Sequence, residues 1–235
     1  MKKLLLASLA LVALPAFAEE KAAEPGGPKG YIGVKYYPAG QLRYKENIFG
    51  WNSGVYTSPD ESGPIKEKWS GFGLVFGFES LPVRSLLPID NLYSRLEAEF
   101  AFLNFKDSGT NEHGVPYKNE NDVKMALFNA YADFTRNPKI VPYIGVGIGF
   151  AQIDITSTDE SDEFSIIGND VTYALSIGAG ILFKVNQQWA IDLGVKHIKL
   201  GDTEYRCGGT DGNGLTYKVS DTSFTSASVG AMVSF

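Results

Sequence analysis

The chain is poor in the residues that carry most chemistry. It has one cysteine, Cys207, and two histidines, His113 and His197. A single thiol cannot close an internal disulfide, so the fold is not covalently stapled. The scattered His and Cys have no zinc-ligand spacing, so no metal site and no cofactor is expected. Past residue 18, no apolar run approaches the roughly 20 residues of a spanning helix. Positive charge is also short. Lys and Arg number 21 against 27 Asp and Glu, a formal −6 that becomes −8 once Lys2 and Lys3 are removed. Such a balance repels phosphates and argues against a nucleic-acid partner.

What the chain does have begins at its first residues. Two lysines precede an apolar run from Leu4 to Leu14, then Pro15 and the small-residue site Ala16-Phe17-Ala18. This is the pattern of a secretory signal peptide over 1–18, cut after Ala18. Residues 19–30, EEKAAEPGGPKG, read as a flexible leader.

From residue 31 to 235 the pattern is period-two alternation, the signature of strands with one apolar face. Ile32, Val34 and Tyr36 alternate with Gly33 and Lys35; Phe72, Leu74, Phe76 and Phe78 alternate with Gly73, Val75, Gly77 and Glu79. Leu92, Leu96, Ala98, Phe100 and Phe102 oppose Tyr93, Arg95, Glu97, Glu99 and Ala101. Ala126, Phe128, Ala130, Ala132 and Phe134 oppose Met125, Leu127, Asn129, Tyr131 and Asp133. The stretches YIGVGIGFAQ and VTYALSIGAGILF repeat the scheme with glycine on the second face. In WAIDLGVKHIKLG, Trp189, Ile191, Leu193 and Val195 face away from Asp192, Gly194 and Lys196, and the phase slips near His197, suggesting a bulge or a strand end. The last segment, SASVGAMVSF, alternates Val229, Ala231, Val233 and Phe235 with small or polar residues.

These are eight strands of the 9 to 11 residues that a tilted spanning strand needs. Long polar stretches at 38–67, 107–122, 153–170 and 201–218 alternate with shorter ones at 80–90, 136–139 and 184–188. The fold expected is all-β: a closed eight-stranded antiparallel up-and-down transmembrane β-barrel with four long outer loops and three short periplasmic turns. Volume decides which face points inward. Eight strands enclose a space just wide enough for side chains, which suits Gly, Ala and Ser but not rows of Phe. The rings therefore face lipid. Lys35, Glu79, Arg95, Glu97, Glu99, Asn129, Tyr131, Asp133, Asp192 and Lys196 then face inward as a network, paired because a lone buried charge is costly. It either plugs the lumen or rearranges as a narrow pore. Closure leaves no sheet edge in hydrocarbon, so the last strand is expected to pair with the first, with the Phe235 ring at the membrane interface.

The ending VGAMVSF, with Val229, Ala231, Val233 and Phe235, resembles the signal that the barrel-assembly machinery reads on outer-membrane proteins. With SRLEAEFAF, NAYADF, PYIGVGIGFA and VTYALSIGAGILFKVNQQWAIDLGVKHIKLG, the chain from about residue 30 onward is similar to the small surface barrels of the opacity-protein, OmpA/OmpX-like and surface-antigen class. The resemblance implies a bacterial outer-membrane location. It also implies a structural or surface-interaction role as a surface antigen or adhesin, with outer loops that contact lipopolysaccharide or a host ligand. A porin-like channel is the alternative. Some such barrels are lipid-modifying enzymes, which would need Ser and His on one strand face with a carboxylate behind. The residue sharing a face with His197 two positions on is Lys199, and His113 lies in the polar stretch GTNEHGVPY, so no catalytic residue is expected. Asp154, Asp159, Glu160, Asp162, Glu163 and Asp170 form an acidic stretch without an EF-hand pattern, read as a solvated loop.

Overall fold

A computed structural model describes residues 29–38, 40–50, 55–56, 68–82, 92–110, 116–134, 139–159, 165–207 and 215–235. The cleavage site at Ala16 and Ala18, most of the leader and His113 lie outside the described residues. The strands are β1 (Lys29–Tyr37), β2 (Gly40–Gly50), β3 (Val55–Tyr56), β4 (Lys68–Pro82), β5 (Leu92–Thr110), β6 (Pro116–Phe134), β7 (Ile140–Asp159), β8 (Ser165–Lys184), β9 (Trp189–Leu200), β10 (Thr203–Cys207) and β11 (Leu215–Ser234).

All pairings are antiparallel, and the order β1-β4-β5-β6-β7-β8-β9-β11 returns to β1. The sheet is a closed barrel with eight positions around the ring. Two positions are built from successive segments. β1 and β2 both run along β11, with Tyr36 opposite Val229 and Gly40 opposite Ser226. Pro38 stands between them and has no N–H to give a ladder. β9 and β10 likewise follow one another, with Lys199 opposite Ser223 and Thr203 opposite Val219. Facing that break, β11 carries a bulge between Ser220 and Ser223, where Asp221 takes a φ of 54°. A short polar side chain tolerates that left-handed backbone best after glycine.

The seam that shuts the ring pairs Tyr31 through Tyr36 with Ser234 down to Val229, and the Phe235 N–H donates to the Gly30 carbonyl at 2.9 Å. The last residue is therefore fixed in the ladder while its ring stays 73% exposed. At the same end, the four-residue turn between β8 and β9 is tied by Asn186, whose Oδ1 accepts from the Gln188 and Trp189 N–H groups at 2.8 and 2.7 Å.

The strands are longer than expected. β7, β8 and β11 have 20 residues each. At about 3.4 Å per residue and a tilt near 40° they rise about 50 Å, twice the roughly 25 Å apolar band of such barrels. Most of the ranges read as outer loops are thus continuations of the wall, and Lys29 and Gly30 of the leader already belong to β1.

Chemistry inverts along the wall. In the lower half, Ile32, Val34, Phe72, Phe128, Val146, Ile148, Phe150 and Ile177 are outward and exposed. Passing upward, Phe72 gives way to Ser70, Phe102 to Asn104, Phe150 to Gln152, Val195 to His197 and Ala227 to Thr225. Above this line the outward residues are mostly polar, Val171 being an exception, and the inside is mostly apolar: Trp69, Leu103, Phe105, Val123, Met125, Ile153, Ile198, Leu200 and Phe224 form one buried cluster. The apparent phase slip at His197 is this inversion. Alternation runs unbroken from Trp189 to Leu200, with His197 and Lys199 outside and Ile198 and Leu200 inside. Lipid surrounds the lower wall and water the upper, so the residues that each tolerates outside change places.

Candidate functional site

The lower lumen is filled in tiers. At the rim, Glu79 accepts from Lys184 Nζ at 3.2 Å and from Ser234 Oγ at 3.0 Å. Next lies an aromatic and aliphatic tier of Tyr31, Val75, Tyr131, Val141, Tyr143, Leu182, Ala190 and Met232. Arg95 is embedded in it. Its Nε donates to Asp133 Oδ2 at 3.2 Å, and its guanidinium lies 4.1 Å from the Tyr131 ring centroid and 4.8 Å from that of Tyr143. Among the described residues Nη1 and Nη2 have no hydrogen-bond partner; the ring faces supply cation–π attraction there.

Above this tier sit two carboxylates of β5. Glu97 accepts from Lys35 Nζ at 2.7 Å, Tyr31 OH at 2.9 Å and Tyr131 OH at 3.0 Å, and lies 3.5 Å from Arg95 Nη1. Glu99 accepts from Lys196 Nζ at 2.5 Å, from Asn129 Nδ2 at 3.0 Å and from the Tyr37 hydroxyl. Lys35 bridges both, at 3.8 Å from Glu99, and reaches Asp192 Oδ2 at 3.5 Å. Asp192 Oδ1 accepts from Tyr143 OH at 2.6 Å, and Ser176 Oγ donates to Asn129 Oδ1 at 3.4 Å. Period two puts residues 95, 97 and 99 on one face of β5, which is why one strand can supply the centre of the layer.

Small residues on the facing strand make room. A Cβ at Gly145 would strike the Tyr131 ring, and one at Gly147 would strike Asn129 Oδ1 and Ser176 Oγ. Glycine here is a packing requirement, since bulk would push the donors off their acceptors.

The structure places Lys35, Glu79, Arg95, Glu97, Glu99, Asn129, Tyr131, Asp133, Asp192 and Lys196 inside the barrel. It adds Tyr31, Tyr37, Tyr143, Ser176, Lys184 and Ser234, which sequence reasoning missed. Parity could have found the tyrosines, since Tyr31 and Tyr37 share a face with Lys35, and Tyr143 shares one with Gly145. The apolar cluster of the upper half lies directly over Glu99, with Tyr37 and Leu127 in it. The polar layer is thus enclosed from above and below, and Arg95, Glu97 and Glu99 are fully buried. The arrangement can hold five strands together through charge-assisted contacts.

Outside the lumen, His197 faces outward with Nδ1 at 3.0 Å from Thr225 Oγ1. Asp154 and Asp170 of the acidic stretch are engaged on strands. Asp154 pairs with Lys124 Nζ at 2.7 Å, and Asp170 accepts from the Val171 and Glu204 N–H groups at 2.8 and 2.9 Å. Asp159 lies at the end of β7, and Glu160, Asp162 and Glu163 lie outside the described residues. Glu120 stands between Lys118 and Lys106, whose hydrogen bonds hold its carboxyl below the usual range. Burial of Tyr205 pushes its phenol up to about 12.

A family model described as the outer membrane protein beta-barrel domain matches residues 4–235. The crystal structure of the outer membrane protein OprG from Pseudomonas aeruginosa superposes with a TM-score of 0.52 at 15% identity, over 89% of this chain and 98% of that one. The outer membrane protease OmpT from Escherichia coli superposes with a TM-score of 0.51 at 9% identity, over 92% and 99%. At such identities the likeness is one of fold, and a protease among the neighbours says nothing of activity. An uncharacterized protein of Brucella abortus (strain 2308) is 29% identical over 86 residues, 33% of this chain; the match spans 30% of that relative's length.

Proposed function

Since the chain belongs to the outer membrane protein beta-barrel domain family and is therefore a protein of the bacterial outer membrane, we propose that it is a closed surface barrel whose role is interaction and not transport. The observation that carries this reading is the enclosed layer around Glu97 and Glu99, capped by the apolar cluster of the upper half. Opening a path would require those carboxylates to release Lys35, Lys196 and three phenols together. The upper half supports the same reading. An apolar core outside the membrane gives no benefit to a pore, but it makes a rigid stand for the chain between β5 and β6, β7 and β8, and β10 and β11, where recognition residues concentrate. The partner is then a host ligand or a neighbouring lipopolysaccharide, met through those tips, as in a surface antigen or adhesin. Val229, Ala231, Val233 and Phe235, fixed at the seam, serve assembly by the barrel machinery.

Two measurements test this. In planar bilayers the protein is expected to be silent; conductance steps that change in Glu97→Gln would overturn the closed-barrel reading in favour of a channel. Binding of whole cells to plates coated with extracellular matrix is expected to fall when 111–115, 160–164 and 208–214 are together replaced by Gly-Ser linkers. Those replacements leave in place strand residues such as Ile153, Tyr205 and Val219 that pack inside. Binding unchanged in that variant refutes recognition through the tips.

A further inference from the structure

On one flank the line between the apolar belt and the polar wall is hollowed into a groove of about 460 Å³, lined by Tyr36, Phe72, Phe102, Asn104, Asp122 and Lys124 with their neighbours. Register explains its two halves. Phe72 lies opposite Phe102, and Phe102 opposite Lys124; one row farther out, Ser70 lies opposite Asn104, and Asn104 opposite Asp122. The Phe72 and Phe102 rings stack with centroids 5.1 Å apart at 23°, making a flat floor on the membrane side. Tyr36 at the top of β1 stands beside it, and all three rings are 40% exposed or more. On the water side Asn104 Nδ2 donates to Asp122 Oδ1 at 2.6 Å, and Lys124 is held by Asp154 at 2.7 Å.

We infer that this groove binds an outer-leaflet glycolipid, with an acyl chain along Tyr36, Phe72 and Phe102 and the headgroup recognised through sugar hydroxyls at Asn104, Asp122 and Lys124. The aromatic half continues the lipid-facing belt, so its occupant has a chain in the bilayer. A soluble saccharide would leave those rings against lipid. The polar half selects against a phosphate. Among the described lining residues the one ammonium, Lys124, is already matched by Asp154, Lys106 one row farther out is paired with Glu120, and the Asp122 carboxylate adds a further negative charge. Hydroxyls suit the set, because they donate to a carboxylate and accept from an amide or an ammonium. The inference rests on the outer-membrane placement of the belt and is independent of recognition by the tips.

The test uses the full mature protein in nanodiscs containing equal amounts of digalactosyldiacylglycerol and phosphatidylglycerol. Lipid retained after detergent extraction is counted by native mass spectrometry. The galactolipid is expected to be kept about tenfold over the phospholipid, the discrimination that one hydrogen bond to a charged group supplies. The double variant Asn104→Ala/Asp122→Ala should lose that preference while still shifting on unheated detergent gels, and Lys199→Ala, at similar height on β9, should keep it. Equal retention of the two lipids by the wild type, a preference for phosphatidylglycerol, or a preference that survives in the double variant each overturns the inference. None of these results alters bilayer silence or tip-dependent adhesion, so the two readings fail separately.

Discussion

Replacing Glu97 by glutamine removes one charge from the centre of the lumen while keeping its shape. The carboxylate faces Lys35 at 2.7 Å and Arg95 at 3.5 Å. With an effective dielectric constant near 20, those distances correspond to about 6 and about 5 kcal/mol of gross attraction. Most of this is offset by the cost of taking the ions out of water, and Lys35 keeps Glu99 and Asp192 as weaker partners at 3.8 and 3.5 Å. What remains is the penalty for stranding buried positive charge, about 3–5 kcal/mol. Glutamine also turns an N–H₂ group toward donors, so one of Tyr31, Lys35 and Tyr131 loses its acceptor. Urea unfolding in dilauroylphosphatidylcholine vesicles, followed by tryptophan fluorescence, would read the loss. The double variant Glu97→Gln/Lys35→Met separates charge imbalance from packing. It should regain part of the stability: removing both partners of a buried pair is often nearly neutral, less the cost of taking from Asp192 the ammonium 3.5 Å away. A single-variant loss below about 1 kcal/mol, the size of an exposed ion pair, would refute the claim that this layer holds the barrel. So would a double variant no more stable than the single.

The inversion along the wall predicts a depth dependence on one strand. Val146→Arg, on the lipid face of β7, should cost about 2–4 kcal/mol by vesicle unfolding, whereas Thr156→Arg, outward on the same strand above the line, should stay within about 0.5 kcal/mol. Phe105→Ala should cost about 3–5 kcal/mol, because the ring is 1% exposed and lies 5.2 Å from Trp69 and 5.9 Å from Phe224; hydrogen exchange should show the opening confined to the upper half. Gly145→Val should displace Tyr131 and lower stability by about 1–3 kcal/mol, without changing the outer surface. In an NMR titration Glu120 should protonate at lower pH than an ordinary glutamate, and Lys118→Ala should raise its midpoint.

The spanning half was legible because lipid outside and a narrow lumen inside impose opposite chemistry on alternate residues, as in Phe72-Gly73-Leu74-Val75-Phe76-Gly77. The upper half was misread because the same alternation continues there with its meaning reversed. Ile198 and Leu200 point inward like core residues of a soluble protein, and His197 and Lys199 take the outward places. A reader following the apolar face sees a slip of phase where the backbone has none. The stretch 107–122 looked like a loop because it is polar, yet 107–110 and 116–122 continue β5 and β6 as wall, next to the buried Phe105 and Val123. In the polar layer, ionisable residues stood out by type, whereas Tyr31, Tyr37 and Tyr143 were hidden among aromatics that could equally have faced lipid. Which donor meets which carboxylate depends on tilt and stagger around the ring, and alternation along one strand carries no record of those.

The two kinds of interior have one cause. In hydrocarbon, apolar side chains gain little by leaving the outside for the inside, because both are dry, so association needs close packing and hydrogen bonds to drive it. Glu97 and Glu99 supply the hydrogen bonds, tying β5 to β1 through Lys35, Tyr31 and Tyr37, to β6 through Tyr131 and Asn129, and to β9 through Lys196. Above the line water returns, burial of apolar area becomes favourable again, and the interior changes to Trp69, Leu103, Phe105, Met125 and Phe224. A lumen built to pass solutes would keep its polar lining to the outer mouth, where water is available to fill it. Here the lining turns apolar where hydration would be cheapest. Under the proposed surface-interaction role, that placement makes the outer strand ends a rigid stand about 25 Å beyond the lipid.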